Sequence, residues 1–276
     1  MSSILTNNSA MVALETLRNV NRNLEAVQSE ISTGKKVATA KDNAGIWAVA
    51  TVMSSDVESF KQISDSLSLG SSTVGVARAA SEQIVKTLQE VKSLIVTAQG
   101  ENVDRTKIAA DITAKSDLVT GFINAAQFNG LNLIDGNSAA TVNVLASLNR
   151  ASDGTVTAGN IEVASVDLTT DLAALATIDV SDSTAAATAL GTIEDLLQVA
   201  IDAAAAFGSS QASINSQGEF VKNLTDALRS GVGSLTDADM EASSAKLQAL
   251  QVQQQLGVQA LSIANQQPQA LLSLFR

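Results

Sequence analysis

Apolar residues near the start of the chain recur at alternating steps of three and four, the spacing of a helix face that packs along another helix. The pattern ends before Gly34, a residue type that commonly stops a helix. Leu5, Met11 and Leu14 widen the apolar surface beyond this seam. We therefore expect the first helix to touch more than one neighbour. The seam itself consists of Ala13, Leu17, Val20, Leu24, Val27 and Ile31.

Two longer segments keep the same spacing and predict two helical rods. The first covers residues 60–95, which at 1.5 Å per residue gives a rod of roughly 55 Å. The second covers residues 190–228 and is the expected partner of the first. A shorter helix, about 105–128, is expected to fold back antiparallel on the first rod. The seam residues are Phe60, Ile63, Leu67, Val74, Ile84, Leu88, Val91 and Ile95 in the first rod and Leu190, Ile193, Leu197, Ile214, Val221 and Leu228 in the second.

The middle of the chain changes to a period of two. Asn129-Gly130 and Asp135-Gly136 are turn signals, and alternating segments follow at residues 141–144 and 160–163. These patterns predict a short β-hairpin.

The C-terminal segment carries apolar residues on two stripes but very little charge. From Glu241 onward the only charged side chains are Glu241, Lys246 and Arg276, and nine Gln supply uncharged polarity. Such a helix gains little from facing water, so we expect neighbouring copies to cover it. The alternative is a loose tail that docks only on its own core. One stripe has Leu247, Leu250, Leu261 and Ala264, and the other has Val252, Leu256 and Ile263.

These patterns predict a mainly α fold, with long antiparallel helical rods or a coiled coil formed from paired N- and C-terminal segments and a small β-hairpin region mid-chain. We expect residues 1–40 and 240–276 to form a terminal-helix domain. Residues 41–239 are expected to form a rod domain that includes the β region at about 130–170. Gly231-Val232-Gly233 is the predicted hinge between rod and terminal helix, and Asp237-Ala238-Asp239 reads as a helix N-terminus.

Composition favours helices that pack at close range. Apolar residues make up 45% of the chain, but aromatic residues only 3%, and there is no Tyr and only one Pro. Small aliphatic side chains must therefore do most of the packing. The single tryptophan, Trp47, is expected to be a packing residue at a boundary between layers.

Enzyme chemistry finds little support. The chain has neither Cys nor His, which excludes thiol nucleophiles, Ser/His/Asp triads and histidine zinc sites. No catalytic, cofactor-binding or metal-binding residue is therefore assigned, and no cofactor is expected.

Charge and hydropathy limit the classes of partner that this chain can have. The net charge is −11, and no Lys or Arg lies between Arg150 and Lys222, so nucleic acid would be repelled. No segment resembles a membrane helix, and the first residues lack the pattern of a Sec-type signal.

Three separated blocks resemble bacterial flagellins. The start has an Asn-rich opening, a Ser-Thr-Gly break and an Ala-Lys-Asp-Asn-Ala-Gly box, the middle has a turn leading to a hairpin, and the end has a Pro-Gln-Ala-Leu-Leu motif. The motifs of the first block are ILTNNSA (4–10), STGKK (32–36) and AKDNAG (40–45). The middle block is AQFNGLNLIDG (126–136), and the last contains LTDADME (235–241) and QQPQALLSLFR (266–276).

The resemblance implies a structural subunit that polymerises into the extracellular flagellar filament for motility. It implies export of the unfolded chain through the flagellar type III channel. It also implies a dedicated export chaperone on the C-terminal segment, and cap and junction proteins as further partners. The terminal helices would form the inner tube of the filament and the rods the next layer. The region between the hairpin and the second rod is short, so this resembles a form without large outer variable domains.

Two other interpretations stay open. A hook–filament junction protein has similar terminal helices, although it usually departs from the Asn-rich start and from the ending seen here. A secreted enzyme carried on flagellin-like ends is a second alternative, against which the absence of His and the short central insert count.

Overall fold

The computed structural model describes residues 7–151 and 153–274, with side chains as far as residue 266. The expectations for Leu5, for the motif residues at 1–6 and 275–276, and for the side chains of the QQPQALLSLFR block beyond residue 266 lie outside the described residues. The helices are α1 (Asn8–Thr33), α2 (Ala44–Ala98), α3 (Arg105–Ala125), α4 (Leu168–Asp171), α5 (Ser183–Thr236) and α6 (Met240–Leu274), with a 3-10 helix at Ala173–Thr177. The strands are β1 (Gln127–Phe128), β2 (Leu131–Asn132), β3 (Thr141–Arg150) and β4 (Val156–Ala164).

The chain divides into two compact units. Unit 1 contains Met1–Val57 and Ala227–Arg276, and unit 2 contains Glu58–Asp226. The sequence pattern alone suggests boundaries near residues 40 and 240, because helical spacing changes there. The units divide elsewhere because α2 and α5 are continuous helices that each contribute residues to both units.

Local signals define both ends of α1. The Asn7 side chain accepts a hydrogen bond from the Ala10 N–H at 3.1 Å, which satisfies one of the free donors of the first turn. Gly34 follows the last helical residue with φ 68°. This left-handed conformation is easy for glycine, and the predicted helix stop at Gly34 is confirmed.

In unit 2, α2 and α5 run antiparallel. Ser71 Oγ donates to Asn215 Oδ1 at 2.9 Å, and further along α2 the Lys92 Nζ lies 2.6 Å from Glu194 Oε2. Between these contacts Arg78 Nε donates to Gln211 Oε1 at 2.7 Å. The partners move back along α5 as α2 advances, so the predicted pairing of two antiparallel rods is confirmed.

Of the rod seam residues, all except two are buried. The eight positions on α2 are Phe60, Ile63, Leu67, Val74, Ile84, Leu88, Val91 and Ile95. The buried positions on α5 are Ile193, Leu197, Ile214 and Val221, whereas Leu190 and Leu228 are half-buried.

The β-hairpin forms where the period-two pattern predicts it. Strands β3 and β4 pair antiparallel over Thr141–Arg150 and Val156–Ala164, with a register shift between Leu145 and Ser147. Its Val144 packs directly on Gly70 of α2, where an added Cβ would lie 2.6 Å from Val144 Cγ1. The glycine thus allows the hairpin to approach the helix closely.

Several element boundaries differ from the prediction. Helix α2 begins at Ala44, well before the seam at Phe60, and α3 ends at Ala125 because β1 starts at Gln127. The predicted hinge at residues 231–233 is wrong, since α5 continues unbroken to Thr236. The helical hydrogen bond from the Asp237 N–H to the Gly233 carbonyl at 2.8 Å continues the helix past both glycines.

Four exposed aspartates in unit 1 and unit 2 loops have lowered pKa values. The Thr170 hydroxyl and N–H groups lower the pKa of Asp167 below the ordinary value of an aspartate. The Thr155 hydroxyl is the main cause of the lowered pKa of Asp153. The Thr39 N–H is the main cause of the lowered pKa of Asp42, and the Ser181 N–H is that of Asp179. Each carboxylate accepts hydrogen bonds that only its charged form makes well.

The close approach at Gly70 predicts opposite effects of one substitution at two helical glycines. Gly191→Ala meets no atom within 4 Å, so it should raise the free energy of unfolding by about 1 kcal/mol through helix propensity. Gly70→Ala should lower it by about 1–3 kcal/mol, because the methyl group overpacks against Val144. Urea unfolding followed by circular dichroism measures both. Equal stabilisation by the two variants would contradict the packing at Gly70.

The lowered pKa of Asp167 predicts acid sensitivity of the turn before α4. The Asp167 carboxylate accepts from Thr170 N at 3.0 Å and from Thr170 Oγ1 at 2.6 Å. Its stabilising effect should be complete above the unfolded-state pKa and should be lost as pH falls through the lower folded-state pKa. A carboxyl NMR titration should place the Asp167 midpoint below the ordinary aspartate value, which is about 3.9. A midpoint at or above that value would show that these hydrogen bonds are not formed in solution.

Candidate self-association surface

Helices α1 and α6 of unit 1 lie side by side along an apolar seam. Val20, Val27 and Leu250 are its buried centre. Leu24, Ile31 and Leu247 pack against this centre and are half-buried. Because few large side chains are available, the helices approach closely, and a Cβ added at Gly257 would lie 3.1 Å from Leu17 Cδ1.

Polar side chains tie the two helices together at three levels. The Asn7 side-chain amide donates to the Ala264 carbonyl at 2.7 Å, and Gln254 Nε2 donates to Asn21 Oδ1 at 2.8 Å. Near the other end Ser243 Oγ donates to Glu30 Oε2 at 3.4 Å. These partners advance along α1 while they move back along α6. The helices are therefore antiparallel, and the bonds define their register.

Backbone bonds join the chain after α1 to the chain before α6. The N–H groups of Lys36 and Val37 donate to the Thr236 carbonyl at 2.7 and 3.2 Å, and the Ala238 N–H donates to the Gly34 carbonyl at 3.0 Å. Asp239 Oδ1 then accepts from the N–H groups of Glu241 and Ala242 at the start of α6. The predicted acidic helix N-terminus is confirmed, and it fixes where α6 begins.

The outer side of α6 carries an apolar stripe that nothing within the described part of unit 1 covers. We call it the α6 stripe. Each of its side chains is more than half exposed. Its members are Val252, Leu256 and Ile263, which share one side of the helix at about 100° per residue. The only charged residues of α6 are Glu241 and Lys246, and both precede the stripe. No charged side chain of this helix therefore lies beside the stripe to favour its exposure to water.

Helix α1 carries a shorter exposed apolar group near its start. Met11 is 60% exposed and Val12 is 67% exposed, while Leu14 is just over one-third exposed. We call these three residues the α1 stripe. Both stripes lie on the helices of one pair, away from the seam that joins them.

The structure thus divides the predicted terminal-helix residues into two classes. The α1 seam residues and Leu247, Leu250 and Leu261 are buried or half-buried in the helix pair, and Val252, Leu256 and Ile263 are exposed. Ala13 and Leu17 are half-buried, in line with the rest of the α1 seam. Sequence reasoning missed the exposed residues Val12 and Val258, because each lies off the seams and stripes that the spacing predicts. Their high exposure on helices with apolar neighbours is the signal that finds them.

The same structure holds little that resembles a reaction centre. Among the described residues no group of three or more Asp or Glu side chains is placed to hold a metal ion. None of the helices in the described ranges is long and apolar enough to cross a bilayer. The exposed apolar stripes are therefore the feature of unit 1 that most needs a partner.

Two family models match the chain. The bacterial flagellin N-terminal helical region matches residues 4–139, and the bacterial flagellin C-terminal helical region matches residues 190–275. These matches include all of α1 and all of α6, the two helices that form the pair.

Relatives match over their whole length. A flagellin of Brucella melitensis biotype 1 is 41% identical over 283 residues, which covers 100% of both chains. Flagellin FljK of Caulobacter vibrioides is 41% identical over 282 residues and covers 100% of this chain and 99% of the relative. Flagellin C of Rhizobium meliloti is 35% identical over 320 residues, again 100% of both chains. With both ends and the full length matched, this chain belongs to the bacterial flagellin family, the structural subunits of the flagellar filament.

Proposed function

We propose that copies of this chain polymerise through the α6 stripe and the α1 stripe of the paired terminal helices. The observation that carries the proposal is the exposure of Val252, Leu256 and Ile263 on one side of a helix with two charged side chains. Exposed apolar side chains on an otherwise uncharged helix are stabilised when another apolar surface covers them.

The magnitude of this burial suggests a lattice rather than a dimer. Covering three aliphatic side chains that are each more than half exposed contributes roughly 2–5 kcal/mol. Loss of translational and rotational freedom costs about 4–15 kcal/mol for each association. One such contact is therefore too weak alone, and a subunit is held only when several neighbours cover it together. Growth from a preformed end follows from this, because an end offers several contacts at once.

The two stripes differ from each other, which favours an open assembly. If the α6 stripe of one copy meets the α1 stripe of the next, the contact is heterologous and does not close on itself. Repetition of a heterologous contact builds a helical filament unless its rotation closes a ring. The terminal helices would then form the inner tube, with the α2 and α5 rods in the next layer.

The remaining partners follow from membership of the family. In this proposal a dedicated chaperone binds the C-terminal segment before export. The unfolded chain then leaves through the flagellar type III channel. At the filament tip the subunit is added beneath a cap protein, and junction proteins lie at the base of the filament. Its place is then the extracellular filament, and its role is structural rather than catalytic. Co-purification of the chaperone with the full chain, and its loss when α6 is removed, tests the chaperone step.

The runner-up function is a hook–filament junction protein. The observation that leaves it open is the helix pair itself, which a junction protein would share. Electron microscopy of the purified chain with filament fragments as seeds separates the two. Long filaments made of this chain alone support the filament subunit, and short caps on the seeds support the junction protein.

Polar substitution in the α6 stripe should weaken polymerisation without unfolding the subunit. Leu256→Gln with Ile263→Gln removes apolar surface that is already exposed in the monomer, so helix content should stay unchanged. The critical concentration for seeded growth should rise at least tenfold, since about 1–2 kcal/mol of burial is lost at each position. Sedimentation at several protein concentrations measures it.

Leu118→Gln is the matched control, because Leu118 is an exposed leucine on helix α3 of unit 2. It should change the critical concentration less than threefold. If the α6 double variant polymerised as readily as this control, the stripe would not be the assembly surface.

A further inference from the structure

Charge divides unequally between the two units. Unit 1 has eight Lys or Arg and eight Asp or Glu, so its net charge is zero. Unit 2 has nine Lys or Arg and twenty Asp or Glu, and it therefore carries the entire net charge of −11. Ten of the acidic residues lie between Arg150 and Lys222 without a single Lys or Arg among them. Neighbouring copies that placed these acidic segments face to face would repel each other.

The cations of unit 1 concentrate in the connection between α1 and α2. Lys35, Lys36 and Lys41 fall within seven residues, and all three side chains are exposed. None of their ammonium groups lies in an ion pair with any side chain of the described ranges. We call residues 35–41 the lysine loop.

The lysine loop has a fixed backbone. Asp42 Oδ2 accepts from the N–H groups of Ala38 and Thr39 at 3.1 and 2.8 Å and from Thr39 Oγ1 at 3.0 Å. Val37 is buried, and the Thr236 carbonyl accepts from the N–H groups at 36 and 37. A rigid loop presents its lysines with less loss of conformational entropy on binding than a mobile one.

Nearby carboxylates are held against their own chain. Asp42 is occupied by the loop N–H groups, Glu30 accepts from Ser243 Oγ, and Asp237 Oδ1 lies 3.4 Å from Thr236 Oγ1. The lysine stems are long and free of such bonds. With three lysines and one aspartate, residues 35–42 present a net positive charge to a partner.

The start of α2 adds an apolar component beside the lysine loop. Trp47 is 39% exposed, and Val49 and Val52 are also exposed. The expected packing role of Trp47 at a boundary between layers stays a prediction, since part of its side chain is open to solvent. An exposed tryptophan beside exposed lysines suits an interface that is partly apolar and partly charged.

We propose that the lysine loop and the start of α2 bind the acidic 153–219 segment of a neighbouring copy. The inference rests on the proposed function, since it names a second contact of the same polymer. Charge complementarity selects the occupant, because the lysines of unit 1 match the cation-free acidic segment of unit 2. The contact also separates the acidic segments of adjacent copies from one another.

Charge reversal in the lysine loop tests this contact. Lys35→Glu with Lys36→Glu should raise the critical concentration for seeded growth about tenfold at 50 mM salt, because two exposed attractive pairs become repulsive. The effect should shrink to about twofold near 1 M salt, where the Debye length is about 3 Å. The matched control is Lys61→Glu with Lys86→Glu, which changes the net charge equally at two exposed lysines of unit 2. The critical concentration of the control variant should stay within threefold of that of the natural chain.

Trp47 reports the same contact by fluorescence, since it is the only tryptophan and the chain has no tyrosine. Acrylamide should quench its emission several-fold less in filaments than in monomers. Equal critical concentrations for the loop variant and its control, or equal quenching in both states, would overturn the proposal. Neither of these two results would count against assembly through the α6 stripe. Conversely, polymerisation by the Leu256→Gln and Ile263→Gln variant would remove the proposed function while leaving this contact standing.

Discussion

Antiparallel pairing of the two ends of the chain is the interaction on which the rest depends. Helix α1 and helix α6 are far apart in sequence, so neither can form its apolar seam until the whole chain between them has been made. The seam around Val27 and Leu250 uses one side of each helix, and bonds such as Gln254 to Asn21 set the register. That register leaves the α6 stripe on the outside. A slip of the pairing would bury part of the stripe and remove the surface that we propose for assembly.

The scarcity of large side chains shapes both units in the same way. With no tyrosine and six phenylalanines in the chain, the interior is filled by aliphatic residues at close helix separation. Glycine is required where backbones or strands come closest, as at Gly70 under Val144. Long seams of small contacts distribute the stabilisation over many positions, so that no single side chain dominates. Charge, by contrast, is uneven, and unit 2 holds all of the excess negative charge.

Heptad spacing was sufficient to predict the helix pairs, because a seam that repeats over many turns can face only one direction. The Asn-Gly signal likewise predicted a turn, and Asn129 and Gly130 both have positive φ. Spacing failed where no period exists. Helix α4 is only four residues long, which is too short to show a period. The start of α2, by contrast, does continue the seam, since Ile46, Ala50, Met53 and Val57 precede Phe60 in steps of three and four and are buried or half-buried. Side-chain bonds across the pair, such as Asn7 to Ala264, join residues too distant for any local pattern to indicate.

The most direct test of terminal-helix assembly uses the absence of cysteine, which allows one thiol to be placed without background. Leu256→Cys puts that thiol in the α6 stripe, and Leu118→Cys serves as the reference on α3. Maleimide labelling rates of both would be measured in monomers and in seeded filaments. Terminal-helix assembly predicts fast labelling at both positions in the monomer and at least several-fold slower labelling at position 256 in filaments. An unchanged rate at position 256 in filaments would contradict it.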